Sequence, residues 1–292
     1  MTARTNNKSA ERTDLSPHLA LLGVQALFGS LPVIGKIVLG VMPALALVGF
    51  RIGITALILF VVQLLRGGIW LRDPSDYKRL AILSVFGISL NQVLFIGGLS
   101  LTKAANTSLL AVTIPIFTIL VSAVLGTEKL RSIKVFGIIL AGLGVVILID
   151  PRNASFSSQT TLGDLMIVLN SLSYGIYVAT SKDVITRNGA FRSMMWVFIF
   201  ASIICIPLGA YAMTGVEAEI PGRIWWFVLY IAVAATAGPY LLNAFALSKV
   251  DPSVVAVYVY AQPLIGFLLA VILLGENIGV SFIVAAVLVF AG

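Results

Sequence analysis

Long apolar stretches alternate with short polar connections along the whole chain. Within each stretch the apolar positions are continuous, without the every-second-residue alternation of membrane barrel strands. A helix needs about 20 mostly apolar residues to cross the bilayer core, and backbone groups left unpaired in hydrocarbon are costly. The pattern therefore predicts an all-α integral membrane fold of ten transmembrane helices, with spans at residues 19–39, 43–65, 79–100, 104–125, 132–150, 162–181, 192–213, 223–247, 252–274 and 278–292.

The two ends of the sequence differ from the spans. Residues 1–18 are polar, and the apolar stretch that follows them is too long for a signal peptide, so we expect a retained cytoplasmic N-terminal tail. The last apolar stretch, residues 278–292, is too short to cross a bilayer. We therefore expect the given sequence to end inside its tenth helix.

Charged residues make up 11% of the chain, less than half the usual share in soluble domains, so no separate soluble domain is expected. The 19 Lys and Arg residues are unevenly distributed. If the N-terminus is cytoplasmic, fourteen lie on the cytoplasmic side, four lie on the opposite side and Arg51 lies within a span. This distribution follows the positive-inside rule, and it explains the net charge of +7 without any nucleic-acid partner.

An internal repeat links residues 104–128 with residues 252–276. Each segment carries a proline thirteen residues before a glutamate, and the two copies are 148 residues apart: Pro115 and Glu128 in the first, Pro263 and Glu276 in the second. A weaker similarity at an offset of 146 relates the segment from Phe28 to Lys36 with that from Tyr174 to Lys182.

The repeat predicts two halves, residues 19–150 and residues 162–292, with five helices each. Because five is odd, the second half crosses the membrane in the opposite sense to the first. Inverted repeats of this kind are typical of alternating-access transporters, which bind substrate near the midplane between their halves.

These segments resemble the drug/metabolite transporter superfamily and, within it, the EamA-type transporters of ten helices. The similarity is most specific at Gly-Thr-Glu, residues 126–128, and at Gly-Glu, residues 275–276. The pairs Phe28-Gly29 and Tyr174-Gly175 and the position of Arg51 also fit, although family members often carry tryptophan where Phe28 and Tyr174 stand. The resemblance implies export or exchange of amino acids, related metabolites or nucleotide sugars through the inner (plasma) membrane of a bacterium, without naming the substrate.

Polar and aromatic side chains at membrane depth predict where a solute binds, because such groups face protein or a cavity rather than lipid. Tyr258 and Gln262 are four residues apart, and Tyr240 and Asn243 are three apart, so each pair shares a helical face. The alternative is plain hydrogen bonding between helices. The predicted substrate-binding residues are Gln25, Arg51, Asn91, Gln92, Thr113, Tyr174, Tyr240, Asn243, Tyr258 and Gln262.

Arg51, Pro115 and Pro263 each allow two interpretations. An arginine within a span costs about 2.5–3.5 kcal/mol on insertion scales, so Arg51 either binds a substrate carboxylate or phosphate in a cavity, or bonds helix carbonyls. The two prolines each free a backbone carbonyl and bend a helix. They are hinge candidates, with a static kink as the alternative.

Several kinds of chemistry lack the residues that they need. The single cysteine, Cys205, and the single histidine, His18, cannot form a metal cluster, so we expect no metal and no cofactor. The GxxxxGK[ST] and hydrolase motifs are absent, and we expect no enzyme activity. None of the 12 acidic residues lies at mid-depth, which favours uniport or exchange over proton coupling.

The sequence therefore favours a secondary transporter that exports or exchanges small metabolites, most of all amino acids or related compounds. One alternative is a nucleotide-sugar or phosphate-ester exchanger, and another is an integral-membrane enzyme acting on lipids. The expected partners are a small-molecule substrate and the lipid bilayer. A homodimer formed through the fifth and tenth helices is also left open.

Overall fold

A computed structural model describes residues 14–129, 131–149, 160–217, 219–265 and 280–291. These residues form helices joined by short turns, and no strand occurs among them. Within the described ranges, six helices are long and apolar enough to cross a membrane: Ser16–Leu39, Ala44–Arg66, Ser75–Leu101, Thr161–Asn188, Ala190–Met213 and Gly222–Leu247. The prediction of an all-helical membrane fold is confirmed. Most of the predicted tail, and Glu276, lie outside the described residues.

Some of the crossing helices are interrupted, so the continuous helical elements outnumber them. In chain order they are α1 (Ser16–Gly29), α2 (Leu31–Leu39), α3 (Ala44–Arg66), α4 (Ser75–Ser84), α5 (Leu90–Leu101), α6 (Ala104–Leu110), α7 (Thr113–Val124), α8 (Ser132–Ile149), α9 (Thr161–Asn188), α10 (Ala190–Met213), α11 (Gly222–Ala232), α12 (Gly238–Leu247), α13 (Pro252–Val257) and α14 (Val280–Ala291). A π-helical turn, Val85–Ser89, joins α4 to α5, and a second one, Val233–Ala237, joins α11 to α12.

Prolines account for several of the interruptions, because a proline has no N–H to donate and its ring clashes with the carbonyl four residues earlier. The break between α6 and α7 includes Ala111, four residues before Pro115. After α13, the 3₁₀ turn Tyr258–Tyr260 contains Val259, four residues before Pro263. Both predicted hinge candidates therefore interrupt their helices one turn upstream. A hinge motion at these breaks stays a prediction.

The interruptions recur at the spacing of the sequence repeat. The two π-helical turns begin at Val85 and Val233, and α6 and α13 begin at Ala104 and Pro252, each pair being 148 residues apart. Pro239 lies four residues after Ala235, within the second π-helical turn, and explains why that carbonyl lacks an α-helical donor. Asn91 stands at the corresponding position of the first half, so proline does not cause the first π-helical turn.

The closest contact between crossing helices joins α3 to α10. A Cβ atom added to Gly49 would lie 2.8 Å from the carbonyl oxygen of Cys205 and 2.9 Å from the Cα atom of Gly209. Around this crossing lies the main core, which includes Leu47 and Phe198, both fully buried. Small residues at such crossings let backbones approach closely, which is the main source of helix association in membranes.

The remaining helices pack around this pair. α1 packs on α12, α5 and α7 pack on α9, and α7 also contacts α13. Within the described residues, α14 packs mainly on α8, at the edge of the bundle. Large apolar side chains are exposed on the outer faces, as expected for helices in lipid: examples are Leu57, Val124, Phe136 and Phe290.

One boundary differs from the prediction. The span predicted to end at residue 181 continues as α9 to Asn188, and it stops at Gly189, whose φ of 84° favours glycine. The extension carries charged residues that have partners: the Nε atom of Arg187 donates to Asp76 Oδ2 at 2.9 Å. A polar helical turn beyond the hydrocarbon is therefore stabilised by ion pairing and hydrogen bonding.

We expect the substitution Gly49→Ala to lower the free energy of unfolding by about 1–3 kcal/mol, because the added methyl group overlaps backbone atoms of α10. The measurement is the midpoint of thermal unfolding in detergent. Gly215→Ala is the matched control, since no atom lies within 4 Å of a Cβ at that position. Equal midpoints for the two variants would contradict the close approach of α3 and α10.

Candidate functional site

A cavity lies in the middle of the helix bundle, between helices of both halves. Its volume is about 90 Å³, and it is partly open to its surroundings. The lining side chains come from α1, α2, α5, α6, α7, α9 and α12 and from the segment after α13. They are Val24, Gln25, Phe28, Leu31, Pro32, Asn91, Gln92, Phe95, Thr107, Ala111, Ile114, Ile167, Asn170, Tyr174, Tyr240, Val259 and Gln262.

None of these lining residues is charged. The polar groups among them are amides, hydroxyls and phenols, and the rest of the wall is apolar or aromatic. A buried ion is strongly disfavoured unless an opposite charge or several hydrogen bonds compensate for its lost hydration. The wall therefore suits a solute without a large net charge, particularly without an unmatched negative charge.

Contacts between equivalent positions of the two halves lie at and beside the cavity. Nε2 of Gln92 donates to the hydroxyl of Tyr240 at 2.7 Å, and these residues are 148 positions apart. The hydroxyl of Tyr260 donates to the carbonyl of Val112 at 3.1 Å, again across 148 positions. The two segments paired by the sequence repeat therefore touch each other at the cavity.

Tyr240 connects the cavity to the first π-helical turn. Its hydroxyl lies 3.0 Å from the carbonyl oxygen of Gly87, while it accepts the hydrogen bond from Gln92. The neighbouring carbonyl, that of Phe86, accepts from the hydroxyl of Ser173 at 2.7 Å. Side chains of α12 and α9 thus supply donors to the irregular backbone of the first half.

Six of the ten residues predicted to bind substrate line the cavity: Gln25, Asn91, Gln92, Tyr174, Tyr240 and Gln262. Sequence reasoning missed Thr107 and Asn170. Asn170 donates from Nδ2 to the carbonyl of Asn91 at 2.8 Å. Its position four residues before Tyr174 puts both on one face of α9, so the signal was present in the sequence.

Arg51 does not border the cavity. It is fully buried, its Nε and Nη2 atoms donate to Thr236 Oγ1 at 3.0 and 2.7 Å, and Nη2 also donates to the carbonyl of Ala235 at 3.1 Å. Thr55, one turn further along α3, donates to the carbonyl of Ala232 at 2.9 Å. The guanidinium group therefore satisfies the carbonyl that Pro239 leaves without a donor, which corresponds to the second interpretation of Arg51.

The other three predicted residues also lie outside the cavity wall. Thr113 donates to the carbonyl of Leu110 within its own chain segment, at 2.6 Å. Asn243 is one layer behind the wall, where its Nδ2 donates to the hydroxyl of Tyr174 at 2.7 Å. The Tyr258 hydroxyl pairs with Nδ1 of His18 at 2.8 Å, near the start of α1.

A polar network joins the two halves at the end of the bundle where α1 begins. It consists of Glu128, Lys134, Lys182, Asp251 and Ser253, which we call the closing network. Glu128 accepts from Lys134 and from the backbone N–H of Ser253, the latter at 3.2 Å. Asp251 accepts from Lys182 at 3.2 Å and from Lys134 at 3.3 Å.

Asp251 lies in the turn between α12 and α13. Partial burial raises the pKa of its carboxyl group, but the ammonium groups of Lys182 and Lys134 lower it further, so the net pKa is below the usual value. A carboxyl whose pKa is lowered contributes stability that is lost only as the pH falls through that lowered pKa. The ion pairs of the closing network are therefore intact at neutral pH.

A second polar cluster lies at the opposite end, where α9 begins. Asp164 accepts from the hydroxyl of Thr102 at 2.6 Å and from Nδ2 of Asn106 at 2.9 Å. Nζ of Lys36 donates to the carbonyl of Thr102 at 2.8 Å. Across the described part of the chain, no group of three or more His, Cys, Asp or Glu side chains is arranged to hold a metal ion.

Apolar helices that surround a central cavity with an uncharged polar wall define a multi-pass membrane protein of the solute-transporter class. The sequence pattern of the EamA-like transporter family matches this chain twice, over residues 15–150 and again over residues 161–292. The chain belongs to the EamA-like transporter family, within the drug/metabolite transporter superfamily. The predicted family membership is confirmed, and the predicted bounds of the two halves stay a prediction.

Similar proteins support the same class. An uncharacterized transporter of Archaeoglobus fulgidus is 24% identical over 219 residues, or 75% of each chain. The uncharacterized transporter YetK of Bacillus subtilis is 20% identical over 288 residues, covering 95% of this chain and 87% of YetK. WALLS ARE THIN 1 of Arabidopsis thaliana is 24% identical over 245 residues, covering 72% of this chain and 63% of that protein. The names of the Archaeoglobus and Bacillus relatives indicate a transporter rather than an enzyme.

A solved crystal structure has the same fold. It superposes on this chain with a TM-score of 0.77 at 20% sequence identity, over 94% of both chains.

The position of Arg51 leads to a prediction that separates its two interpretations. Arg51→Met removes the donors to Thr236 and Ala235, and we expect it to lower the free energy of unfolding by about 1–3 kcal/mol. Solute binding by the folded fraction should be unchanged, because Arg51 does not line the cavity. Thermal unfolding measures the first effect, and ligand titration of purified protein measures the second. A variant of unaltered stability that no longer binds would instead assign Arg51 to the substrate.

Proposed function

We propose that the protein is a secondary transporter that exports or exchanges small metabolites, with amino acids or related compounds as the leading class. The observation that carries this proposal is the position of the cavity. It is lined by both halves and lies where residues 148 positions apart touch each other, and the closing network joins the two halves at one end of the bundle. In alternating access the two halves would rock about the cavity, so that the closed end opens while the opposite end closes.

Two contacts support an inverted arrangement of the repeats. Asp164, at the start of α9, contacts Thr102, which follows the end of α5. Asp14, just before α1, contacts Lys249, which follows the end of α12. The chain crosses the bundle three times between the start of α1 and the end of α5, so these two points lie at opposite ends. Because α9 starts beside the end of α5, the second half begins at the opposite end of the bundle from the first.

The charge distribution gives the orientation of the proposed transporter. The closing network lies at the end that carries the basic excess, which we assign to the cytoplasm by the positive-inside rule. In this arrangement the N-terminus is cytoplasmic, the membrane is the inner membrane of a bacterium, and the cytoplasmic end is the closed one.

The uncharged wall also bears on the alternatives. A nucleotide-sugar or phosphate-ester exchanger would need basic side chains at the cavity to match the phosphate charge, and the described wall residues include none. An enzyme acting on lipids would need acids or histidines around a reacting bond, and none of the described lining residues is of that kind. Since no described lining residue is a carboxylate, uniport or exchange is favoured over proton coupling.

Counterflow in proteoliposomes tests the proposed function. With labelled amino acids, nucleosides and nucleotide sugars as the panel, we expect saturable exchange of an amino acid. Gln262→Ala, in the cavity wall, should reduce the exchange about tenfold, which corresponds to about 1.4 kcal/mol for one lost hydrogen bond. Gln63→Ala is the control, because that amide binds the carbonyl of Gly67 at the end of α3. If no panel solute is exchanged by folded protein, the proposal fails.

Cysteine labelling tests the proposed topology. In a Cys205→Ala background, Lys103→Cys and Lys129→Cys place single thiols at exposed positions on opposite sides of the proposed membrane. A membrane-impermeant maleimide added to intact spheroplasts should label Lys103→Cys, and it should label Lys129→Cys only after permeabilisation. Labelling of both variants from the same side would contradict the membrane crossing formed by α6 and α7 between the two positions.

A further inference from the structure

We infer that the cavity recognises its solute through a protonated amine and rejects solutes of net negative charge. This inference rests on the proposed transport function and specifies its substrate class more narrowly. It depends on three features of the cavity: two buried acceptor atoms without partners, the hydrogen bonds made by the rest of one of these amides, and aromatic rings in a wall whose described residues include no cation.

Two amide oxygens at the cavity have no hydrogen-bond donor among the described residues. They are Oε1 of Gln25 and Oε1 of Gln92, on side chains whose residues are 1% and 4% exposed. Buried acceptors in native proteins almost always have a donor, so an unpaired pair bordering one cavity indicates that a ligand supplies it. An ammonium group has three N–H donors and no acceptor, so its hydrogen bonding matches unpaired acceptors.

The hydrogen bonds of the Gln92 amide leave its oxygen without a partner. Nε2 donates to the Tyr240 hydroxyl at 2.7 Å and to Oδ1 of Asn91 at 3.1 Å. With the nitrogen on these two acceptors, the remaining atom of the amide is the acceptor Oε1. A donor from the solute would complete its hydrogen bonding.

Aromatic rings also favour a cation in this cavity. Phe28 and Tyr240 lie at the wall in an edge-to-face arrangement with ring centroids 5.9 Å apart. Ring faces attract cations, most of all where water is excluded. Among the described residues, no lysine or arginine lines the cavity. Arg51 lies outside the wall: its Nε and Nη2 atoms donate to Thr236 and Ala235, while its Nη1 atom has no partner. An amine therefore has complementary groups in the wall, whereas an anionic solute meets no counter-charge among these residues.

The remaining residues of the wall indicate the polarity of the rest of the solute. Leu31, Phe95, Ile114 and Ile167 form apolar surface around the polar groups. A solute with an ammonium group at one end and an apolar or aromatic body at the other would therefore place its polar end at Gln25 and Gln92 and pack its body against these side chains.

Three solutes with the same aromatic body test this inference: phenylethylamine, phenylalanine and 3-phenylpropionate. The first is a cation, the second carries both an ammonium and a carboxylate, and the third carries the carboxylate alone. We expect phenylethylamine and phenylalanine to raise the unfolding temperature of the purified full chain in a concentration-dependent way, because binding to the folded state stabilises it. 3-Phenylpropionate should bind at least tenfold more weakly than either.

Two substitutions at one position sharpen the test. Gln25→Glu adds a negative charge beside the proposed amine and should tighten phenylethylamine binding at least tenfold, while Gln25→Met removes the acceptor and should weaken it at least tenfold. Gln63→Met, which changes an amide remote from the cavity, is the control for general effects on folding. Opposite effects of the two Gln25 variants cannot come from a common loss of structure.

The outcomes distinguish this inference from the proposed function. Equal binding of 3-phenylpropionate and phenylethylamine, or equal responses of Gln25→Glu and Gln25→Met, would overturn the amine assignment. If counterflow exchanges solutes that lack an amine while neither amine compound binds, the transporter assignment stands and this inference is overturned. If no solute on either panel binds or moves, both fail together.

Discussion

The structure depends on one constraint: a carbonyl that loses its helical partner within the membrane must find a donor inside the protein. The two π-helical turns create such carbonyls in both halves, and the donors come from the other half. Thr55 and Arg51 of α3 bond the turn of the second half, while Ser173 and Tyr240 bond the turn of the first. Each half therefore supplies side-chain donors to the irregular backbone of the other.

This exchange of donors also explains why the cavity lies where it does. Irregular backbone at membrane depth is tolerated only where protein or a polar cavity surrounds it. Such backbone occurs at the π-helical turns and at the breaks before Pro115 and Pro263. It lies where the two halves meet, as the contacts of Gln92 with Tyr240 and of Val112 with Tyr260 indicate. The polar side chains that bond this backbone are concentrated there. The need to pair backbone groups therefore also places amides and phenols at the cavity.

Much of this arrangement could be predicted from the sequence, and the rest depended on contacts that a sequence does not contain. The offset of 148 between Pro115 and Pro263 anticipated the recurrence of the helix interruptions, because a proline acts on its own chain four residues upstream. Residues such as Gln25 and Tyr174 were identified as cavity candidates because polar groups in apolar spans avoid lipid. Arg51 could not be assigned, since its role depends on Ala235, which is 184 residues away in the chain. The π-helical turn at Val85–Ser89 has no proline and therefore left no signal.

The two halves are related but not equivalent, and the difference lies in what holds each π-helical turn. The second turn is held by Arg51, whose burial away from the cavity makes that contact independent of any solute. The first turn is held in part by Tyr240, whose hydroxyl also takes part in the cavity wall through Gln92. A solute that engages Gln92 or Tyr240 therefore competes with, or reinforces, the hydrogen bonding of the first turn but leaves the second unchanged. Because a ligand shifts a conformational equilibrium only through contacts that differ between its states, the first π-helical turn is the element of the backbone through which an occupied cavity can act on the rest of the fold.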